Sequence, residues 1–296
     1  MAHRRRVDGA STSELEKRFE KMNPILTAHL FPEIEARLIE LLRSLTADEW
    51  ELQTVAPAWK VKDVAAHLLD TQLRKLSRVR DGYVAAPPPH LTSHDDLVAY
   101  INGLNREGVE MYCRLSPNVL ISVMQTASRE YVEFHRRLDP MAEAGFGVSW
   151  AGEQKSLNWF DTARELTERW HHQQQIRLAT NRPGIMTREL YYPVLDCFMR
   201  ALPFAYRDRD GETGTHLRFN VAGHCGGSWY LYRDGERWVQ TELPQGRQVS
   251  ETTIPQDIAW RIFTKGIDRR SAETQVTVSG HPELARHVLG MVAIIA

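Results

Sequence analysis

Apolar residues recur three and four positions apart through the first two thirds of the chain, the period of helices that bury one face. Ile34, Leu38, Leu41 and Leu42 form such a stripe in the run that opens at Asn23-Pro24. A capping side chain followed by proline is a good helix start, and Pro32 marks either a kink or the start of the stable part. Thr46-x-x-Glu49 reads as a capping box for a short turn. The helical period returns over about 60–80 and ends at AAPPPH, because successive prolines cannot continue a helix. Ser93-x-x-Asp96 opens a helix reaching about 115, Pro117 breaks it, and further helices are expected over about 118–138 and 157–180, the last stopped by TNRPG. Four long helices with moderate connections predict a bundle.

Beyond about residue 185 the pattern changes. A helical stretch over about 188–205 precedes the polar loop RDRDGETGTH. HLRFNVAG, SWYLYRDGERWVQTEL and TQVTVSG then alternate or cluster β-formers, with Asp234-Gly235 as a hairpin turn. IPQDIAWRIFTKG is helical between them, and HPELARHVLGMVAII is expected to close the chain as an amphipathic helix. The fold class is therefore α+β: a helix bundle over 1–185 and a small α+β domain over 186–296, without internal repeats.

Composition narrows the class. The chain has 296 residues, a net charge of −1, 42% hydrophobic and 25% charged residues, which suits a globular protein with a real core. With no basic excess, nothing favours nucleic acid as a partner. No apolar run spans a bilayer, and the basic start MAHRRR has no apolar segment behind it, so no membrane anchor or secretory signal is expected. The first ten residues read as a loose tail. Cys113, Cys197 and Cys225 form no C-x-x-C pair and read as buried free thiols in a cytoplasmic protein.

The stretch ARELTERWHHQQQIRLA carries the candidate chemistry. Glu168 and His172 lie one helical turn apart, so a carboxylate oxygen and an imidazole nitrogen can reach one metal ion. His171 competes with His172 as the ligand. Trp159, Ala163, Leu166 and Trp170 make one apolar stripe, while Asp161, Glu165, Glu168, His172 and Gln175 lie roughly opposite. From this helix alone the simpler reading is an acidic face in water carrying a surface Glu168–His172 pair; the alternative is a face lining a pocket inside the bundle. His67, in WKVKDVAAHLLD, taken alone reads as a core histidine. Its meaning changes only if it meets Glu168 and His172 in space.

The pattern W-x-V-x-D-V-A-A-H-L at Trp59 to Leu68, with Glu168, His172 and QQQIRLA, resembles the mycothiol-dependent maleylpyruvate isomerase family, part of the DinB-like group of metal-binding four-helix bundles. RFNVAG, the hairpin at Asp234-Gly235 and VTVSGHPELARHVLG resemble the small sterol-carrier-like domain that follows the bundle in that family. The resemblance implies that His67, Glu168 and His172 hold a divalent metal, zinc or else nickel, and that water or a low-molecular-weight thiol fills an open position. Gln175 stands where many relatives have aspartate, which alters the charge near the metal.

A thiol-dependent transferase or isomerase acting on a small electrophile is the expected function. A non-enzymatic small-molecule or lipid binder with a structural metal, or a metal-dependent hydrolase, are the alternatives. The expected state is a monomer or homodimer. An anionic substrate would call for an arginine, with Arg74, Arg78, Arg177 and Arg261 as candidates. Trp150, Trp159 and Phe160 either wall the pocket or belong to the core, and His224–Cys225 is a weaker candidate for a reactive pair.

Overall fold

The computed structural model describes residues 23–87 and 89–295; the expected tail at 1–10 lies outside them. Five long helices occupy the first part: α1 (Phe31–Ser44), α2 (Val61–Lys75), α3 (His94–Tyr112), α4 (Pro117–Arg137) and α5 (Asn158–Ala179). The bundle consists of α1, α2, α4 and α5, while α3 packs chiefly against the outside of α2. Only Gly108 and Val109 of α3 are buried, whereas α2 is covered on nearly all sides.

Local chemistry sets these boundaries. Ser93 Oγ accepts from the Asp96 amide at 3.0 Å and Asp96 accepts from the Ser93 amide at 3.0 Å, completing the expected capping box of α3. Thr46 and Glu49 bond reciprocally in the same way, at 2.7 and 3.3 Å. The start of α1 differs from the expectation at Asn23-Pro24. The helix begins after a 3₁₀ turn, Ala28–Leu30, with Pro32 in its first turn. Residues 23–27 are held instead from outside the bundle, where Arg200 donates to the Asn23 carbonyl at 2.9 Å. A π-helical turn, Leu76–Arg80, extends α2.

After α5, Asn181 turns the chain through a left-handed conformation (φ 52°), and α6 (Arg188–Met199) leads to a five-stranded sheet. The strands are β1 (Thr215–Ala222), β2 (Gly227–Asp234), β3 (Arg237–Thr241), β4 (Arg247–Pro255) and β5 (Thr277–Gly280), in the order β3-β2-β1-β4-β5. β1 pairs antiparallel with β2 and parallel with β4. Gly235 makes the β2–β3 turn at φ 59°, a conformation that favours glycine. Helix α7 (Gln256–Phe263) and the short α8 (Pro282–His287) cover the inner face.

Two expectations in this part need correction. The helix expected over 188–205 breaks after Met199 and resumes only as a short turn, Leu202–Ala205. The closing helix ends at His287; the chain passes through a 3₁₀ turn and then extends, with Ala293 donating to the Phe263 carbonyl at 2.9 Å. Its apolar residues Met291 and Ala293 are buried as separate plugs. One continuous apolar core includes Phe31, Tyr131 and Trp159 from the bundle together with Phe219, Trp260 and Phe263 from the second part. No described helix is long and apolar enough to cross a membrane.

Candidate metal centre

The pattern W-x-V-x-D-V-A-A-H acquires a physical meaning at the start of α2. Gln53, Thr54 and Trp59 close a tight loop, in which the Trp59 carbonyl accepts from Thr54 Oγ1 at 2.7 Å and from Gln53 Nε2 at 2.9 Å. Asp63 caps the helix by accepting from the Lys60 amide at 2.8 Å. Val61, Val64, Ala65 and Ala66 are fully buried, and the two alanines allow the neighbouring helices to come close. His67, one turn further on, faces α5.

Helix α5 is wrapped on both sides. From Asn158 to Arg177 only Arg164, Glu168 and Gln174 escape full burial. The acidic face of this helix therefore lines the bundle interior, and the simpler reading of a solvent-facing pair does not hold. The reason lies in the partners. Lys75 meets Asp161 at 2.5 Å and Glu165 at 3.2 Å, Arg164 meets the same two carboxylates at 2.7 and 2.5 Å, and Tyr131 donates to Glu165 at 2.5 Å. Buried charges are tolerated when they are paired and hydrogen-bonded in this way. A second buried pair, Arg169 with Glu35 at 2.5 Å, joins α5 to α1, while Arg169 also donates to the Leu68 carbonyl at 2.6 Å and so holds α2 in register beside His67.

The three predicted ligands converge. One donor atom from each of His67, Glu168 and His172 can be chosen so that all lie within 4.8 Å of one another. Donors held 2.0–2.2 Å from one ion can be at most about 4.4 Å apart, so only small side-chain rotations separate this trio from coordination. His172 Nε2 lies 3.4 Å from Glu168 Oε2. The other ring nitrogen, Nδ1, lies 3.0 Å from Gln175 Oε1. That amide oxygen can only accept, so it fixes the proton on Nδ1 and leaves Nε2 as the free electron pair. Nδ1 of His67 is buried and has no hydrogen-bond partner among the described residues. A buried orphan nitrogen beside an imidazole and a carboxylate fits a metal ion, which would satisfy it.

Protonation states agree with this fit. Burial, then the neighbouring His172 and the cations Arg74 and Arg169, hold His67 well below the usual histidine range. Burial pushes the Glu168 carboxyl up, but the nearness of His172, His171 and Arg164 outweighs it, and the net shift is downward. A neutral imidazole and an ionised carboxylate are the forms that bind metal.

His171 is placed elsewhere. Its Nδ1 lies 2.8 Å from the Thr167 carbonyl, and burial holds it down to about 3. Its ring lies against that of His172, with centroids 3.9 Å apart, but it is not among the converging donors. Trp59 walls the site, its ring 4.6 Å from His67 and 5.6 Å from His172; the sequence reading gave this residue no role. Trp150, Trp159 and Phe160 are core residues.

The arginines considered from sequence are otherwise engaged. Arg74 binds Asp70 at 2.6 Å and Asn105 at 2.7 Å, and Arg78 lies 4.8 Å from the Phe146 ring centroid. Arg177 donates to the carbonyls of Pro183 and Arg37, and Arg261 to that of Gly266. Arg164 went unnoticed, because an arginine in an E/R-rich helix carries no signal of its own. Cys225 Sγ and His224 Nε2 both face the Met186 carbonyl, at 3.3 and 3.1 Å, so the pair braces a turn. Burial lifts the Cys225 thiol, which is the wrong direction for a nucleophile. Cys113 donates to Asp63 at 3.0 Å, and burial helps raise it to about 12.

Fold and site together define a class: a four-helix bundle carrying a preformed His/Glu/His trio, followed by a small α+β unit. Through residues 31–177, which match the mycothiol maleylpyruvate isomerase N-terminal domain, the chain belongs to that family. The crystal structure of a histidine-to-alanine mutant of the mycothiol-dependent maleylpyruvate isomerase is similar over 90% of this chain and 94% of that one, with TM-score 0.52 and 11% identity, a likeness of fold. A second structure of the mycothiol-dependent maleylpyruvate isomerase aligns over the same shares with TM-score 0.48 and 12% identity. No curated protein matches the chain in sequence.

Proposed function

We propose that the chain is a cytoplasmic, metal-dependent enzyme of the thiol-dependent transferase or isomerase type. In this reading His67, Glu168 and His172 hold one divalent ion, most simply zinc, and a low-molecular-weight thiol is the cofactor. The bundle, up to about residue 185, supplies the ion's ligands, and the α+β unit from 186 onward covers its far side. The observation that carries the reading is the convergence of one donor from each of three residues within 4.8 Å, on a His67 ring that also has a buried, unpartnered nitrogen. Three protein ligands and a free position are the arrangement of catalytic rather than structural zinc sites. When bound, the ion supplies a net positive charge that lowers the pKa of a thiol or water.

The protein's own groups set the conditions. Gln175 holds the His172 tautomer. Trp59 and the bundle core exclude water from one side, which strengthens electrostatic interactions within. Glu168, 22% exposed, is where solvent and small molecules reach the trio.

Protein purified without a metal-affinity column should contain about one equivalent of divalent metal, and consumption of a small thiol with an electrophile should stop on chelation. His172→Ala should abolish both with the helical circular dichroism intact. Metal-free protein with undiminished thiol consumption would sink the reading, and metal-dependent turnover without any thiol would replace it with hydrolysis.

A further inference from the structure

The arrangement around the trio raises the question of which residue meets the rest of the ligand. Solvent reaches the central part of α5 on this face only at Arg164 and Glu168, one turn apart. Residues so spaced have Cβ atoms about 5–6 Å apart. On α2, half-buried Thr71 lies one turn from buried His67 and one turn from buried Lys75. On this face of α5 the trio therefore lies one helical turn from a partly exposed cationic group.

Arg164 is held in an unusual way. Its Nε and Nη2 donate to Asp161 at 3.2 and 2.7 Å, and Nη2 also donates to Glu165 at 2.5 Å. Nη1 has no acceptor among the described residues, and it is not one of the buried orphan atoms. A guanidinium carries five N–H donors, so two of them, both on Nη1, remain unspent. Lys75 binds the same two carboxylates while 5% exposed; Arg164 retains 17% exposure. Charge balance inside the cluster needs two cations against Asp161 and Glu165. It does not require one of them to be an arginine that turns a free edge toward solvent beside Glu168.

We propose that Arg164 is the residue that receives a carboxylate of the ligand meeting the His67–Glu168–His172 site. The assignment rests on the metal-site reading. Asp161 and Glu165 act as positioning residues: they hold Nε and Nη2 of the guanidinium, so that Nη1 offers its two N–H donors with little side-chain freedom left to lose at binding. Among the arginines suggested by the sequence, Arg74 is spent on Asp70 and Asn105, and Arg177 and Arg261 donate to backbone carbonyls.

The test uses full-length protein loaded with cobalt(II), whose sulfur-to-cobalt absorption reports thiol binding directly. The probes are 3-mercaptopropionate, whose sulfur and carboxylate span about one helical turn, and 2-mercaptoethanol, which lacks the carboxylate. The wild-type protein should bind the first at least about tenfold more tightly, the scale of a hydrogen bond to a charged group. In Arg164→Met the two affinities should fall within about twofold of each other. Should that variant fail to fold for want of a partner to Asp161 and Glu165, Arg164→Lys keeps a charge there without the free edge, and its preference should drop several-fold. Equal wild-type affinities, or an unchanged preference in the variants, would overturn the proposal. Absence of the absorption band with both thiols would refute the metal–thiol reading itself, and the Arg164 assignment with it.

Discussion

At the scale of single residues, the trio depends on a neutral neighbour. Gln175 accepts from His172 Nδ1 at 3.0 Å, where a carboxylate would add negative charge and make the imidazole a stronger donor to metal. Gln175→Leu should weaken zinc affinity about 10–100-fold, read by competition with a chromophoric chelator, and leave the melting temperature of the metal-free protein nearly unchanged. Unchanged zinc affinity would show that the tautomer is set elsewhere. Much of this site was legible through the family resemblance, which named His67, Glu168 and His172; the one-turn spacing alone read as a surface pair, and His67 alone as a core histidine. Spacing left His171 and His172 as rivals and the resemblance chose His172, the one that converges; rotation about α5 decides between them, and distant buried pairs such as Arg169–Glu35 set that rotation. Trp59 and Arg164 were equally hidden, since their roles exist only across two helices.

At the scale of elements, the helices followed the sequence closely because their signals are local: Ser93–Asp96 caps α3 and Pro117 opens α4. β4 escaped notice for the opposite reason. Its stretch RQVSETTIP is polar, and it is a strand because β1 and β5 flank it. Its inward side chains Ser250, Thr252 and Ile254 are buried opposite Leu217, Phe219 and Val221. The attachment of α3 rests on a feature just as hard to foresee. A Cβ at Gly108 would stand 2.2 Å from the Asp70 carboxyl carbon, and Asp70 is fixed by Arg74. Gly108→Ala should therefore push α3 off α2 and lower stability by about 1–3 kcal/mol, against the small gain that alanine gives in an open helix. Hydrogen exchange should show the loss in α3 first; a stabilised variant would refute the close contact.

At the scale of the whole molecule, the two parts recognised from the change in hydrophobic period share one interior. Trp170 of α5 stacks on Tyr191 of α6 with ring centroids 4.2 Å apart, meets Trp260 of α7 edge-on at 6.1 Å, and donates to the Ile185 carbonyl at 3.0 Å. Tyr191 in turn donates to the Gln256 carbonyl at 2.7 Å. Large buried aromatics on both sides of a boundary couple the stability of the parts. Calorimetry should show a single cooperative transition for the metal-free chain, and Trp170→Ala should lower it by about 3–5 kcal/mol without splitting it. Two separated transitions would mean that the shared interior contributes little.

A helix that touches water at one place on the face carrying Glu168 and His172 leaves the trio a single side of approach along that face. Anything that approaches the trio along this face of α5 would pass Arg164 and Glu168, the two residues there that meet solvent. Substitutions at Arg164 would change that approach and leave the contact between His172 and Gln175 on the inner side untouched.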